Sequence, residues 1–457
     1  MFEKIKRIHF VGIGGAGMSG IAEVLLNLGY IVTGSDIKDS TVVQRLKKCG
    51  AKVLIGHKGS NIGAAQVVVV STAIDRSNPE VLAAERLKVP VIPRIEMLAE
   101  IARLKYAVTI AGTHGKTTTT SMIGMVLSAA GLDPTLVVGG RVRGIDTGAK
   151  LGHGEYIVAE ADESDGSFLR LNPTIAIVTN IDDDHLDYYH TFTRLKSSFV
   201  EYLNNVPFYG CDIICTDNAV VRSVIPKLHR KVYTYGLESQ KYSVDFTAED
   251  IRYTTRGAEY VAVYKNKKIG RVSLNLMGAH NVTNSLAAVA TGTVLDVKFK
   301  KIQSALEDFR GTERRMQFMG ERKGVTFIDD YGHHPTEVRA TVSALSQSMK
   351  KGKRLFVIFQ PHRYSRTQLL AEKFGPAFKQ AGFVVLTDIY AAGEKPIKGI
   401  TSDIIYKSLQ KAKVDTLYVP LERVVIEVVK LVREGDVVLT LGAGDIFKYN
   451  HLIQAAL

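Results

Sequence analysis

The sequence predicts an α/β protein built on parallel sheets and divided into three domains. Three observations predict this. Apolar, β-rich runs alternate with helix-length segments through the whole chain. Most of those runs are apolar at nearly every position, as strands covered on both faces are. The length, 457 residues, is about three times the roughly 150 residues of an ordinary domain.

The elements follow in order. Ile8–Val11, Ile31–Gly34 and Val67–Ser71 read as buried strands, as do Ala107–Ile110, Tyr156–Ala159 and Ile175–Thr179. Leu355–Phe359, Phe383–Leu386 and Asp436–Thr440 repeat the pattern later. The stretch from Val232 to Val272 differs, and Tyr260–Tyr264 and Gly270–Leu274 read there as a meander or edge hairpins. The boundaries expected from Pro90, Pro93, Gly311 and Gly320 give domains of residues 1–98, 99–312 and 313–457. The N-terminus weakly imitates a signal peptide, but Glu23, Asn27 and its glycines point to strand, turn and helix instead.

Composition narrows the class. With 46% hydrophobic and 23% charged residues, 40 Gly and 12 Pro, wholesale disorder, collagen and coiled coil are excluded. Three cysteines are too few for a disulfide framework, and Cys211 and Cys215 lack a second pair for a metal site. A reducing, cytoplasmic compartment is expected. The balance of 59 Lys+Arg against 46 Asp+Glu gives +13. That excess reads as a solvated lysine-rich surface or as a field that draws polyphosphates. No basic stripe with interleaved aromatics is present, so no nucleic-acid partner is expected. No run is long and apolar enough for membrane insertion.

Three groups of residues carry chemistry. The first is Gly12-Ile-Gly14-Gly15-Ala16-Gly17, a G-x-G-x-x-G turn between a strand and a helix. Its glycines allow a tight turn and close approach of a phosphate to backbone N–H groups at a helix start. Asp36 follows the next strand, where an acid could meet a ribose. The alternative reading is a glycine turn that serves packing alone.

The second is Gly112-Thr113-His114-Gly115-Lys116-Thr117-Thr118, again between strand and helix. Two glycines shape an anion nest, Lys116 reaches outer phosphates, and the Thr117 hydroxyl suits Mg²⁺. The spacing between the glycines is two residues, against four in the common form. Glu160-Ala-Asp-Glu163-Ser-Asp165 and Asn180-Ile-Asp-Asp-Asp-His185-Leu-Asp187 follow the next two strands and offer oxygen ligands for the metal. The third group is Arg310-Gly-Thr-Glu-Arg314-Arg315, Asp329-Asp330-Tyr-Gly-His333-His334-Pro335 and Gln360-Pro-His362-Arg363-Tyr-Ser-Arg366. Arginine suits bidentate binding of carboxylates or phosphates. His333-His334 has no third ligand at zinc spacing.

A phosphate loop with metal ligands, a separate diphosphate-type turn and an arginine-rich third domain exceed what a dehydrogenase or a simple nucleotidase needs. They suit a ligase that uses ATP to activate the carboxylate of a nucleotide-linked acid.

These motifs, with Asp184-His185 and His280-Asn281-x-x-Asn284, run in order over nearly the whole chain. In this the sequence resembles the Mur ligase family, and within it the branch that adds alanine. The resemblance implies a Rossmann-like N-terminal domain for the UDP substrate, a central P-loop-type ATPase domain, and a Rossmann-like C-terminal domain that binds the amino acid. It implies ATP, UDP-N-acetylmuramate and L-alanine as substrates, two Mg²⁺ ions, an acyl-phosphate intermediate and a cytoplasmic monomer or weak homodimer. Lys116, Glu160, His185, Arg315 and Asp330 would be catalytic. Thr117 and Glu160 would hold a first metal, and His185 a second. Gly112 to Thr118, with Asn281, Asn284, Arg315 and Asp330, would bind ATP. Gly12, Gly14, Gly15, Ala16, Gly17, Asp36, Ser71 and Thr72 would hold the UDP-sugar. His333, His334, His362, Arg363 and Arg366 would bind the alanine carboxylate. Sister ligases resemble one another in a carbamoylated lysine just past the equivalent of His185. Phe199 stands there, with Lys196 three positions earlier, so no carbamoyl-lysine is expected. No fused D-alanine–D-alanine ligase is expected after residue 457. The competing readings are a ligase that attaches an intact tripeptide, a nucleotide-gated binder without catalysis, and an NAD-dependent oxidoreductase.

Overall fold

The computed structural model describes residues 5–71, 73–138, 149–239, 241–254, 257–349 and 352–457. They form two compact units. One comprises Met1–Glu249, Val261–Val272 and Thr283–Phe309, and the other Asp250–Tyr260, Ser273–Val282 and Arg310–Leu457.

The first unit opens with β1 (Arg7–Val11), α1 (Ala16–Asn27), β2 (Ile31–Asp36), α2 (Thr41–Lys48), β3 (Lys52–Ile55), β4 (Val67–Val70), α3 (Pro79–Arg86), β5 (Val91–Pro93) and α4 (Arg94–Ala102). Its five strands are parallel in the order β3-β2-β1-β4-β5. The strand order reverses at β1, so the glycine turn that follows β1 sits where such sheets take ligands. Helix α1 forms because Met18, Ile21, Ala22 and Leu25 fall on one stripe, which buries against Ile8, Phe10 and Val69.

A second sheet follows. Its elements are β6 (Tyr106–Ala111), α5 (Lys116–Ala129), β7 (Thr135–Val137), β8 (Ala149–Lys150), β9 (Tyr156–Glu160), β10 (Ile175–Val178), α6 (Leu186–Tyr189), α7 (Phe192–Asn204), β11 (Cys211–Cys215), α8 (Ala219–Val224), β12 (Lys231–Tyr235), β13 (Phe246–Tyr253), β14 (Ala258–Tyr264), β15 (Lys267–Leu274), α9 (Ala279–Val294) and α10 (Phe299–Asp308). The order is β15-β14-β13-β12-β11-β10-β6-β9-β7-β8, parallel from β12 through β7. Lys265 and Asn266, both at positive φ, make a two-residue hairpin between β14 and β15 as expected. The meander does not begin at Val232, however: β12 pairs in parallel with β11 and belongs to the main sheet. On α7, Leu195, Phe199, Tyr202 and Leu203 form the buried stripe, with Phe199 and Tyr202 against Phe168. Phe199 is thus a core aromatic.

The second unit holds β16 (Gln317–Arg322), β17 (Val325–Asp330), α11 (Pro335–Ser348), β18 (Leu355–Phe359), α12 (Tyr364–Ala377), β19 (Phe383–Leu386), α13 (Asp403–Lys411), β20 (Thr416–Tyr418), α14 (Val424–Leu431), β21 (Val437–Leu441) and α15 (Phe447–Ala456). The order is β16-β17-β21-β18-β19-β20. All pairs are parallel except the bulged edge strand β16. Val357 and Phe359 join one core with Val338, Leu370 and Leu409. Phe356 and Ile358 join the other with Val424 and Ile453. Alternate residues of one strand face opposite layers, and both layers are apolar. That is why these strands read as continuous apolar runs. Among the described residues no helix is long and apolar enough to cross a membrane.

Candidate active site

Strand β6 ends at Ala111, and the backbone then turns through Gly112 (φ +130°) and Gly115 (φ +85°) into α5. A Cβ on Gly112 would collide with the Thr179 hydroxyl and the Asn180 backbone, and one on Gly115 would lie 2.8 Å from Asn284 Oδ1. Both glycines are therefore required by close approach as well as by φ. Asn180 pins the loop from both sides. Its Oδ1 accepts from the His114 N–H at 2.8 Å, and its Nδ2 donates to the His114 carbonyl at 2.9 Å. The Thr113 hydroxyl accepts from the Asp182 N–H at 2.9 Å. Thr117 stands in the first turn of α5, followed by the buried Thr118.

Lys116 is the electrostatic centre of this edge. Its Nζ donates to the Gly112 carbonyl at 2.7 Å and to both Glu163 oxygens at 2.8 Å. Burial alone would lower its pKa, but the Glu163, Asp162 and Glu160 carboxylates hold it above its ordinary value. The lysine is thus a fixed cation at working pH, already aimed at anionic oxygens. Its ion-pair partner is Glu163, which the sequence reading offered among several possible metal ligands and not as the partner of this lysine. Glu160 ends β9, opposite Ile110 in the register. His185 has positive φ (59°), and its Nε2 lies 3.8 Å from Glu163 Oε1 and 3.8 Å from Asp184 Oδ2. Tyr189 donates to the Glu163 carbonyl oxygen at 2.6 Å. The structure thus gathers Gly112 to Thr118, Glu160, His185 and Asn284 at the C-terminal edge of the second sheet.

The turn after β1 is built differently. The Gly12 and Ile13 N–H groups donate to the Ser35 carbonyl at 2.8 and 3.0 Å. The Gly14 N–H donates to Asp36 Oδ2 at 2.8 Å. A Cβ on Gly14 would lie 2.9 Å from that oxygen and from Val43. A Cβ on Gly17 would push aside the Arg94 guanidinium, which lies against it. Arg94, which begins α4, is the cation beside this turn, and sequence reasoning missed it. Its 3.8 Å approach to Asp162 is a pairing between distant segments that no local spacing reveals. Gly15 caps α1, Ala16 is the first residue of that helix, and Ser71 follows β4 half-buried. Thr72 lies outside the described residues.

The second unit gathers the remaining candidates. Asp330 ends β17 and is buried. Its oxygens accept from the Gly332 N–H (2.8 Å), the Met316 N–H (2.8 Å) and the Thr341 hydroxyl (3.2 Å). Burial pushes its carboxyl up to about 6, although the Arg315 charge and two backbone N–H groups pull it down. Arg314 and Met316, which flank Arg315, both have positive φ. This strained loop is held by Asp330 and by the Gln317 side chain, which accepts from the Arg314 N–H. Arg314 itself is structural: it bonds Asp329 and the Gly442 carbonyl and stacks on Phe447. Arg315 instead reaches Glu337 Oε1 at 3.3 Å.

Glu337 also accepts from the His333 and His334 N–H groups at 3.0 and 3.2 Å. It closes a capping box on α11. Sequence reasoning missed it because the cap residue is a histidine rather than Ser or Thr. The His333 ring lies 5.3 Å from that of His362, which stacks on Tyr390 at 5.7 Å. Arg366 Nη1 meets His362 Nδ1 at 3.2 Å. Arg363 has positive φ (70°), its N–H is held by the Tyr390 carbonyl at 2.8 Å, and its buried Nε has no hydrogen bond among the described residues. Asn281, near the start of α9, donates to the Met277 carbonyl at 2.8 Å. Burial, aided by the Arg315 charge, lowers the neighbouring His280 to about 4.

Comparison with known proteins decides what this architecture is. The Mur ligase catalytic domain matches residues 7–106, the Mur ligase middle domain residues 110–292, and the Mur ligase glutamate ligase domain residues 314–444. The chain belongs to the Mur ligase family. Among Mur ligases it is similar to the UDP-N-acetylmuramate–L-alanine ligase of Endomicrobium trichonymphae, 54% identical over 450 residues and covering 98% of each chain. The protein of the same name from Geotalea daltonii is 51% identical over 450 residues, covering 98% of this chain and 97% of its own. The crystal structure of UDP-N-acetylmuramate–alanine ligase from Thermotoga maritima superposes with a TM-score of 0.81 at 28% identity, covering 98% of each chain. The Mur ligase fold is thus present in full, as three α/β domains with Rossmann-like parallel sheets.

Proposed function

We propose that this protein joins the amine of L-alanine to the carboxylate of UDP-N-acetylmuramate at the expense of ATP, building a peptidoglycan precursor. The full-length similarity to relatives bearing that activity as their name supports the choice of substrates. The observation that carries the reaction type is Lys116, held protonated between Gly112 and three carboxylates at the mouth of a glycine loop. A free carboxylate is a poor acyl donor. Transfer of the ATP γ-phosphoryl group to it makes an acyl phosphate, and alanine's amine then displaces phosphate. In this reading Lys116 exchanges Glu163 for the outer phosphate oxygens and neutralises charge as it is transferred.

The oxygen donors here fit Mg²⁺, which favours carboxylates, hydroxyls and phosphate oxygens. Thr117 and Glu160 would hold one ion and His185 a second, and the metal would supply charge neutralisation on the phosphates. Gly112 to Thr118, with Asn281, Asn284, Arg315 and Asp330, would take ATP. Asp330, whose oxygens are engaged by the protein, would serve by fixing the Arg315 loop. Gly12 to Gly17, Asp36, Ser71 and Thr72 would take the UDP-sugar. His333, His334, His362, Arg363 and Arg366 would take the alanine carboxylate, for which a guanidinium with an uncommitted edge is suited. We place the domains at 1–98, 99–312 and 313–457, acting on small molecules in the cytoplasm as a monomer or weak homodimer.

The test is phosphate release from purified protein with ATP, Mg²⁺ and UDP-N-acetylmuramate, with L-alanine or an L-alanine-led tripeptide added in parallel. Release that needs both the UDP-sugar and L-alanine is expected. Release only with the tripeptide would move the protein to peptide recycling.

A further inference from the structure

Glu80 is a completely buried carboxylate in the first turn of α3, outside every motif discussed above. Its position next to the Asn78 cap favours a negative charge there. Five groups from four segments converge on it. Oε2 accepts from His9 Nε2 at 2.8 Å and from the Ser35 hydroxyl at 2.7 Å. Oε1 accepts from Asn61 Nδ2 at 2.9 Å, His57 Nδ1 at 3.1 Å and the Lys58 N–H at 3.3 Å. Burial would raise its pKa, but the bonds from His9, Ser35 and Asn61 hold it at about 2. A buried charge this thoroughly bonded is far costlier to disturb than an apolar contact of the same size.

What it grips matters more than that it is gripped. Ser35 is the residue whose carbonyl anchors the N–H groups of Gly12 and Ile13. Its neighbour Asp36 anchors Gly14. The side chain of Ser35 is fixed by Glu80, and its main chain fixes the glycine turn. We propose that Glu80 is a positioning residue for the UDP-sugar: it acts through Ser35 to set the Gly12–Gly14 turn, without touching the ligand. This rests on the reading above that the turn holds the UDP-sugar.

Two variants test it. Glu80→Gln keeps the shape and one carbonyl oxygen. It removes the charge that strengthens the bonds from Ser35 and His9. Ser35→Ala removes the hydroxyl that links Glu80 to the turn, and with it the 3.0 Å bond between that hydroxyl and His57 Nδ1. Steady-state kinetics with each substrate varied, isothermal titration with UDP-N-acetylmuramate alone, and thermal unfolding are measured on the full chain. Each variant should raise KM and Kd for the UDP-sugar about tenfold, the loss of one charge-assisted hydrogen bond. KM for ATP and L-alanine and kcat should stay within about twofold. Should Glu80→Gln fail to fold, Ser35→Ala decides alone. An unchanged UDP-sugar KM, or an equal rise in all three KM values, would overturn the positioning role. A wild-type protein that turns over ATP with alanine but binds no UDP-sugar would overturn the functional reading instead, and the positioning role with it.

Discussion

In the proposed reading, the two glycine turns of the first unit face the same problem, an anion against backbone, and they are built in opposite ways. The Gly112–Lys116 loop brings its own cation and surrounds it with acids, so that Lys116 is bonded to Glu163 before any phosphate arrives. The Gly12–Gly17 turn carries no cation of its own. It is held by a carbonyl and a carboxylate, those of Ser35 and Asp36, with Arg94 supplied from α4. The difference teaches what each can do. A loop whose protonated lysine is already bonded to carboxylates is placed to neutralise charge during transfer. A turn locked by backbone hydrogen bonds can only hold a group still.

The sharpest break in this comparison is Lys116→Ala. It should lower kcat by about 10³ or more, as removal of a transition-state cation does, while UDP-sugar affinity stays within about twofold. Turnover near the wild-type rate would end the central-site assignment. The mirror experiment is Gly14→Ala. Its Cβ presses on Asp36 and Val43, so UDP-sugar KM should rise by about ten- to thirtyfold with ATP KM unchanged. Steady-state kinetics with each substrate varied would detect either pattern.

Arg363→Ala should disturb neither turn. The alanine KM should rise about tenfold, the share of one charged hydrogen-bonding partner, with the ATP and UDP-sugar KM values unmoved. If alanine KM does not change, Arg363 leaves the amino-acid pocket.

A last effect concerns stability alone. Asp212 is buried in β11 and both its oxygens lack hydrogen bonds among the described residues. Burial pushes it up to about 8 from an ordinary 3.8, with Arg230 opposing. The folded chain therefore keeps a proton that the unfolded chain has released, and stability falls as pH rises from about 4 through 8. Asp212→Asn removes that slope. Chemical denaturation should show the variant gaining about 1–3 kcal/mol on wild type between pH 5 and pH 9. A constant difference would mean that Asp212 does not titrate there.

How much of this was legible in the sequence follows from what each signal depends on. Strands β3, β5, β7, β11 and β20 went unread, whereas β1, β2, β4, β6, β9, β10, β18, β19 and β21 announced themselves because both faces are covered, as Phe356 and Val357 show by joining opposite cores. β12 did not, because its Lys231-Val-Tyr-Thr-Tyr235 alternates like an edge strand although it pairs in parallel with β11. The glycine turns were legible because a tight strand-to-helix turn with close backbone approach needs glycine at fixed spacing. Glu163, Arg94, Glu337 and Glu80 were not. Each acts on residues tens of positions away or through a cap of unusual type, and no local pattern encodes such a partner. The paired role of Glu163 is the instructive case: the motif was seen, but only the fold shows which of its acids faces Lys116.

The measurement that tests the account most directly is phosphate release by the purified protein with ATP and Mg²⁺, with each of UDP-N-acetylmuramate and L-alanine left out in turn. Release that appears only when both are present, and that Lys116→Ala abolishes, is the predicted result. Release that is indifferent to the UDP-sugar or to alanine would contradict the account.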